Sequence, residues 1–97
     1  MNMQSIMAQA QKMQRDITNK KEEINKMTFV GESELVNVTM NGKKEVLKVE
    51  IKGEIDNSDK EMLEDMILLA TNKAISLIDK EVEKQLGQYS SALNGLM

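Results

Sequence analysis

Six cations stand out by type and spacing. Lys12 and Arg15 are three residues apart, Lys20 and Lys21 are adjacent, and Lys80 and Lys84 are four apart. On a helix, spacings of three or four place two side chains on one face. Paired cations of this kind meet the phosphates of a polyanion and carry no base-reading code. No covalent chemistry accompanies them. Histidine and cysteine are absent, so neither a Ser-His nor a Cys-His nucleophile pair can be built. A zinc site of Cys and His ligands is excluded for the same reason. The segment Asp56 to Glu61, "DNSDKE", starts like a calcium loop but places Lys60 fifth and Glu61 sixth, with no glycine bend, and fails the pattern. No Gly-rich phosphate loop is present, and Glu64 and Asp65 point to different sides of a helix. Phe29 and Tyr89 are the only aromatics, so a stacking platform for single strands is missing. Catalysis is not expected, and neither is a metal or other cofactor.

The charge is unevenly distributed. The 97 residues carry a net charge of −3. Residues 1–27 nevertheless hold five basic side chains (Lys12, Arg15, Lys20, Lys21, Lys26) against three acidic ones (Asp16, Glu22, Glu23). Local charge decides where a polyanion docks, so the N-terminal arm is the place to expect it. The absence of cysteine fits a reducing compartment. The longest apolar run, Met66 to Ala70, is far too short to span a bilayer. These features lead to an expectation of a soluble, cytoplasmic protein with no membrane partner and no small-molecule substrate.

The elements that must position these cations follow from periodicity. Residues 1–27 lack Gly and Pro, and two series recur every seven residues: Met3, Ala10, Ile17, Ile24, and Ile6, Met13, Lys20, Met27. That heptad predicts a helix about 40 Å long with a narrow apolar stripe. The stripe suits one partner helix, either the C-terminal helix of the same chain or a second copy. Pairing across a dimer assigns Ile6, Met13, Ile17 and Ile24 to dimerisation. Residues 28–55 switch to a period of two. Val36, Val38 and Met40 alternate with Asn37 and Thr39, and Leu47, Val49 and Ile51 with Lys48 and Glu50. Asn41-Gly42 between them predicts a type I′ hairpin turn with positive φ at both residues. A weaker strand, Thr28 to Glu34, completes a three-stranded antiparallel sheet with one apolar face. Ser58 to Glu61 read as a capping box that opens a second helix over residues 58–87. Its broad apolar face, from Leu63 to Val82, is expected to cover the sheet. The tail, 88–97, is weakly patterned and reads as a frayed helix stopped at Gly95, or as disorder. The whole predicts one α+β domain in the order α-β-β-β-α, with two long helices. Nine methionines and few aromatics leave a modest core, which favours a homodimer.

Three stretches carry a family resemblance. "IMAQAQKMQRDI" (6–17) resembles the opening helix of the YbaB/EbfC family of nucleoid-associated proteins, with its QAQKMQ-like segment. "LVNVTMNGKKEVLKVEI" (35–51) resembles the family hairpin G-x-V-x-V-x-x-N-G. "DKEMLEDMILLATNKAI" (59–75) resembles its helix D-x-E-x-L-E-D-L-I-x-x-A-x-N-x-A. The resemblance covers roughly residues 3–80 and implies a tweezer-like homodimer that binds double-stranded DNA at the nucleoid. The chain departs from the pattern at "GESEL" (31–35), at Ile51-Lys52-Gly53 where I-D-P is usual, and at its ending "ALNGLM". Under this reading Lys12, Arg15, Lys20, Lys21, Lys80 and Lys84 are the candidate DNA contacts, with weak sequence preference. The alternative is a helix-mediated protein-interaction module without direct DNA binding, which the acidic net charge and altered C-terminus favour.

Overall fold

The first helix is opened by Asn2, whose side chain accepts a hydrogen bond from the Ser5 amide at 2.8 Å. Such a cap satisfies one of the free N–H groups that every helix start leaves. In the computed structural model, which describes residues 2–89, helix α1 spans Met3–Lys26. Strands β1 (Thr28–Glu32), β2 (Val36–Asn41) and β3 (Val46–Ile51) follow. A short 3-10 turn, Asn57–Asp59, leads into helix α2 (Lys60–Leu86), and a second, Gly87–Tyr89, follows it. The fold is α+β: a three-stranded antiparallel sheet in the order β1-β2-β3 with two long helices. The rest of the predicted tail, 90–97, lies outside the described residues.

Both hairpins depend on side-chain chemistry. Between β1 and β2, buried Ser33 donates its amide to the Val36 carbonyl at 2.8 Å and its Oγ to the same oxygen at 2.9 Å. The Ser33 turn therefore ends β1 at Glu32, two residues before the predicted limit. Between β2 and β3 the predicted type I′ turn is not formed. Gly42 has no positive φ; Lys44 takes the left-handed position instead, at φ 65°. The cause is the Asn41 side chain. Its Oδ1 accepts from the amides of Lys43 (2.9 Å) and Glu45 (3.1 Å), and its Nδ2 donates to Glu45 Oε1 (2.8 Å). This Asx arrangement builds a longer turn, closed by the Lys44 amide on the Asn41 carbonyl at 3.0 Å. Gly42 is required for space: a β-carbon there would overlap the Ile24 carbonyl and lie 2.9 Å from the Asn25 Cα. The turn is thus docked on the end of α1.

Helix α2 also starts differently from the capping-box reading. Asp56, not Ser58, is the acceptor: its carboxylate receives the Ser58 amide (2.9 Å) and the Ser58 hydroxyl. Asp59 precedes the helix with no side-chain cap. The two Ser58 hydrogen bonds, the hydroxyl one foremost, hold the Asp56 carboxyl below its usual range.

The core lies between α2 and two of the three strands. Phe29, Val36, Val38 and Met40 are buried beneath Ala70, Ala74 and Ile78. Gly31 lets the helix approach, since a β-carbon would overlap the Ala70 carbonyl and lie 2.6 Å from the Ala74 nitrogen. The expectation that α2 covers the whole apolar face fails at β3. Val49 pairs with buried Val38, and Ile51 with buried Val36. They therefore share the helix-facing side. Even so, Val49 stays 50% exposed and Ile51 47%. One helix, about 10 Å wide with its side chains, spans two strands spaced about 4.8 Å apart and leaves the third uncovered. A register shift opposite Thr39 and Met40 makes Leu47 the extra residue of β3.

The heptad of α1 is used only at its C-terminal end. Ile17 and Ile24 are buried in the chain's own core with Leu86. Met3, Ile6 and Met13 are exposed, and no residue from 3 to 15 is buried. The molecule is 70 Å long and under 20 Å across. Two helices of 24 and 27 residues end to end measure about 75 Å. Helix α1 therefore extends the line of α2 and does not fold back along it.

Candidate nucleic-acid interface

The projecting arm arises because α1 anchors through its last turns alone. Ile17 and Ile24 face inward. At 100° per residue, Lys12 points about 140° away from Ile17, Arg15 about 160° and Lys26 about 180°. Lys12 and Arg15 are exposed on that outer face, as sequence spacing predicted, and Lys26 joins them one helix length further on. Lys20 and Lys21 lie nearer the packed side, on opposite flanks of it. Lys20 is half-buried and Lys21 exposed. Lys80 and Lys84 are exposed on α2, and Lys80 lines a cleft with β1 residues Val30, Gly31 and Glu32. The fold thus gathers Lys12 and Arg15 on one face and sets the Lys80 pair on a separate one.

These cations are electrostatically free. Two ion pairs occur among the described residues: Lys44 Nζ to Asp79 at 2.9 Å, and Lys48 Nζ to Glu50 at 3.7 Å. Neither involves the six candidates. The i,i+4 pair that Asp16 and Lys20 were positioned to make is not formed. Helix α1 has no acidic residue in its first turn, so the positive end of its dipole at the arm's tip is uncompensated and adds to the attraction for anions. Two further lysines were missed from sequence. Lys26 and Lys43 line a polar cleft of about 220 Å³ with Glu22, Asn25 and Asn41. They meet because the hairpin turn docks on the end of α1, a long-range contact with no local signal; the only hint was a run of lysines at a predicted turn.

A family model for the YbaB/EbfC DNA-binding family matches residues 1–93. The chain belongs to the YbaB/EbfC DNA-binding family. Its similarity to individual members runs the length of both chains. It is 44% identical over 96 residues to a nucleoid-associated protein of Lactococcus lactis subsp. lactis, covering 96% of this chain and 97% of that one. A nucleoid-associated protein of Mycoplasmopsis pulmonis is 43% identical over 90 residues (89% and 90%). One of Enterococcus faecalis is 37% identical over 97 residues (97% and 93%). The YbaB/EbfC family is a DNA-binding family and not an enzyme class. No helix among the described residues is long and apolar enough to cross a membrane.

Proposed function

We propose that this protein is a nucleoid-associated, cytoplasmic DNA-binding protein that grips double-stranded DNA as a homodimer. It does so chiefly through phosphate contacts and with weak sequence preference. The observation that carries this reading is the projecting arm of α1, with Lys12 and Arg15 exposed and unpaired on its outer face, in a member of a DNA-binding family. Lys20 and Lys21 extend the contact toward the body, and Lys80 and Lys84 form a second patch. A long rod with cations along one side fits a polyphosphate backbone. No aromatic or bidentate base-reading element accompanies them, so shape and deformability of the duplex decide preference.

A second copy supplies what one chain lacks. Val46, Leu47, Val49 and Ile51 of edge strand β3 are each about half exposed, and Leu68 of α2 is 62% exposed. Leu68 and Ile75 fall on the same flank of α2 as Asp79, which the Lys44 ion pair fixes beside the β2–β3 turn. The apolar residues of β3 and α2 thus form one strip. Exposed apolar strips of this kind mark association sites, and edge strands demand cover. Ile6 and Met13 on the arm are free for the same use. Ile17 and Ile24 are already spent inside the protomer's own core, so they support dimerisation by anchoring the arm. Two arms in one dimer focus positive charge while acidic residues face elsewhere. The test is electrophoretic mobility of a duplex with the full chain at low salt, with sedimentation of the same sample. A dimer that retards the duplex is expected. A monomer that leaves the duplex unretarded overturns the reading.

A further inference from the structure

The largest cleft lies on the opposite side of the molecule from the uncovered β3. It has a volume of about 330 Å³ and runs between β1 and α2, lined by Val30, Glu32, Lys73, Ser76, Leu77 and Lys80. Its floor is the end of the sheet, since β1 is the outer strand in the order β1-β2-β3. The direction of each backbone group along that edge follows from one hydrogen bond. The Ser33 amide binds the Val36 carbonyl, which marks Ser33–Val36 as a hydrogen-bonded pair. In an antiparallel ladder such pairs alternate. Gly31 with Val38 and Phe29 with Met40 therefore bond inward, while Thr28, Val30 and Glu32 turn their N–H and C=O outward.

This cleft offers two kinds of complementarity at once. A row of free backbone donors and acceptors is matched by another extended backbone. The wall is the flank of α2, where Leu77 is 42% exposed and stands between Lys73 and Lys80. Neither lysine has a carboxylate within 4 Å among the described residues. Lys73 and Lys80 are about 10.5 Å apart along the helix. On an added strand, residues i and i+4 share a face and lie about 13 Å apart, with i+2 between them. Long lysine stems close that difference. We propose that this cleft binds an extended segment of another protein by strand addition to β1, with the pattern acidic–x–apolar–x–acidic facing α2.

The chain's own edges do not supply that pattern. One face of β3 carries Lys48 and Glu50, the other Leu47, Val49 and Ile51; the outward residues of β1 are Thr28, Val30 and Glu32. A second copy is therefore a poor occupant. Duplex DNA offers no row of peptide groups, and Glu32 at the mouth opposes phosphate.

The test uses the full-length protein and a fluorescein-labelled, capped nonapeptide, Gly-Thr-Glu-Thr-Val-Thr-Glu-Thr-Gly. Anisotropy reads affinity, and residue-resolved amide exchange reads strand addition. Saturable binding is expected, with slowed exchange at Val30 and Glu32 and little change at Phe29 and Gly31, which are already paired. Lys73→Glu with Lys80→Glu should lower affinity about tenfold or more, through two lost ion pairs and two repulsions. Both side chains are exposed, and circular dichroism checks the fold; the exchange pattern in wild type decides independently of that variant. Four results overturn the proposal: no saturable binding, undiminished binding to the double variant, or unchanged exchange at Val30 and Glu32 on peptide addition. The fourth is protection of those amides by higher protein concentration or by duplex DNA in place of the peptide, which assigns the edge to a second copy or to nucleic acid.

Discussion

Replacing Gly42 by alanine tests how the arm is anchored. The backbone at Gly42 does not need glycine, because its φ is not positive. The space does. A β-carbon would stand 2.5 Å from the Ile24 carbonyl carbon and 2.9 Å from the Asn25 Cα. Carbon atoms settle at about 3.5–4.0 Å, so the hairpin and the end of α1 must separate by about 1–1.5 Å. A gap of that order forfeits a quarter to a half or more of the dispersion attraction across it. Buried Ile24 contributes roughly 1.5–3 kcal/mol, and Ile17, on the same helix, is disturbed with it. Together with the ordinary cost of overpacking, about 1–3 kcal/mol, Gly42→Ala should destabilise by about 1.5–3 kcal/mol, and Gly42→Val by more. Urea unfolding followed by circular dichroism, at fixed protein concentration, measures it. The thermal midpoint should fall by roughly 6 °C or more, at about 4–8 °C per kcal/mol for a chain of this size. A variant within about 0.5 kcal/mol of wild type, the range of ordinary surface substitutions, would refute the docking of the turn on α1.

Lys44 holds the left-handed position of the same turn, so Lys44→Gly should be neutral to slightly stabilising, because strain relief offsets a lost surface ion pair. Lys44→Val should cost about 1–2 kcal/mol, whereas a type I′ turn at Asn41-Gly42 would leave Val harmless there; urea midpoints separate the two. Asp56 has a carboxyl held below its ordinary value by Ser58. Its contribution is therefore complete above the ordinary carboxylate range and is lost as pH falls through 3.8 toward the depressed value. Amide exchange in the first turn of α2 should accelerate over that acid range in wild type, and Asp56→Ala should remove the pH dependence. Val49→Asp puts a charge on the uncovered β3 strip and should weaken self-association at least about tenfold while the protomer stays folded. Sedimentation showing the variant as dimeric as wild type would contradict the proposed interface.

The order of elements was legible because each carries its own period. Val36, Val38 and Met40 alternate over a strand that is buried on one face, and the burial follows the alternation residue by residue. Helix α1 was legible from its heptad, but the heptad is silent on which turns pack within the chain. Ile17 and Ile24 do, and Met3 to Met13 do not, because the sheet is too short to reach them. The apolar face of β3 was equally readable, yet whether a helix of the same chain covers it depends on the width of one helix against three strands. Asn41-Gly42 was misread for a related reason. The pair is strong evidence of a turn, but the Asn41 side chain and the docked end of α1 chose which turn. For the site, residue type and spacing placed Lys12 and Arg15 on one outer face. The meeting of Lys26 with Lys43, and of Lys73 with the edge of β1, comes from tertiary contacts that no local pattern encodes.

The central claim is that the arm of α1 holds duplex DNA by its phosphates. Its most direct measurement is a salt titration of DNA affinity for wild type and for Lys12→Ala with Arg15→Ala, each on two duplexes of unrelated sequence. Each phosphate contact contributes about 0.9 to the magnitude of the slope of log K against log salt. The account predicts that the double variant binds both duplexes more weakly by similar factors and that its slope is shallower by about 1.8, with the fold unchanged. No binding by wild type at low salt, or a slope unchanged in the double variant, would contradict it.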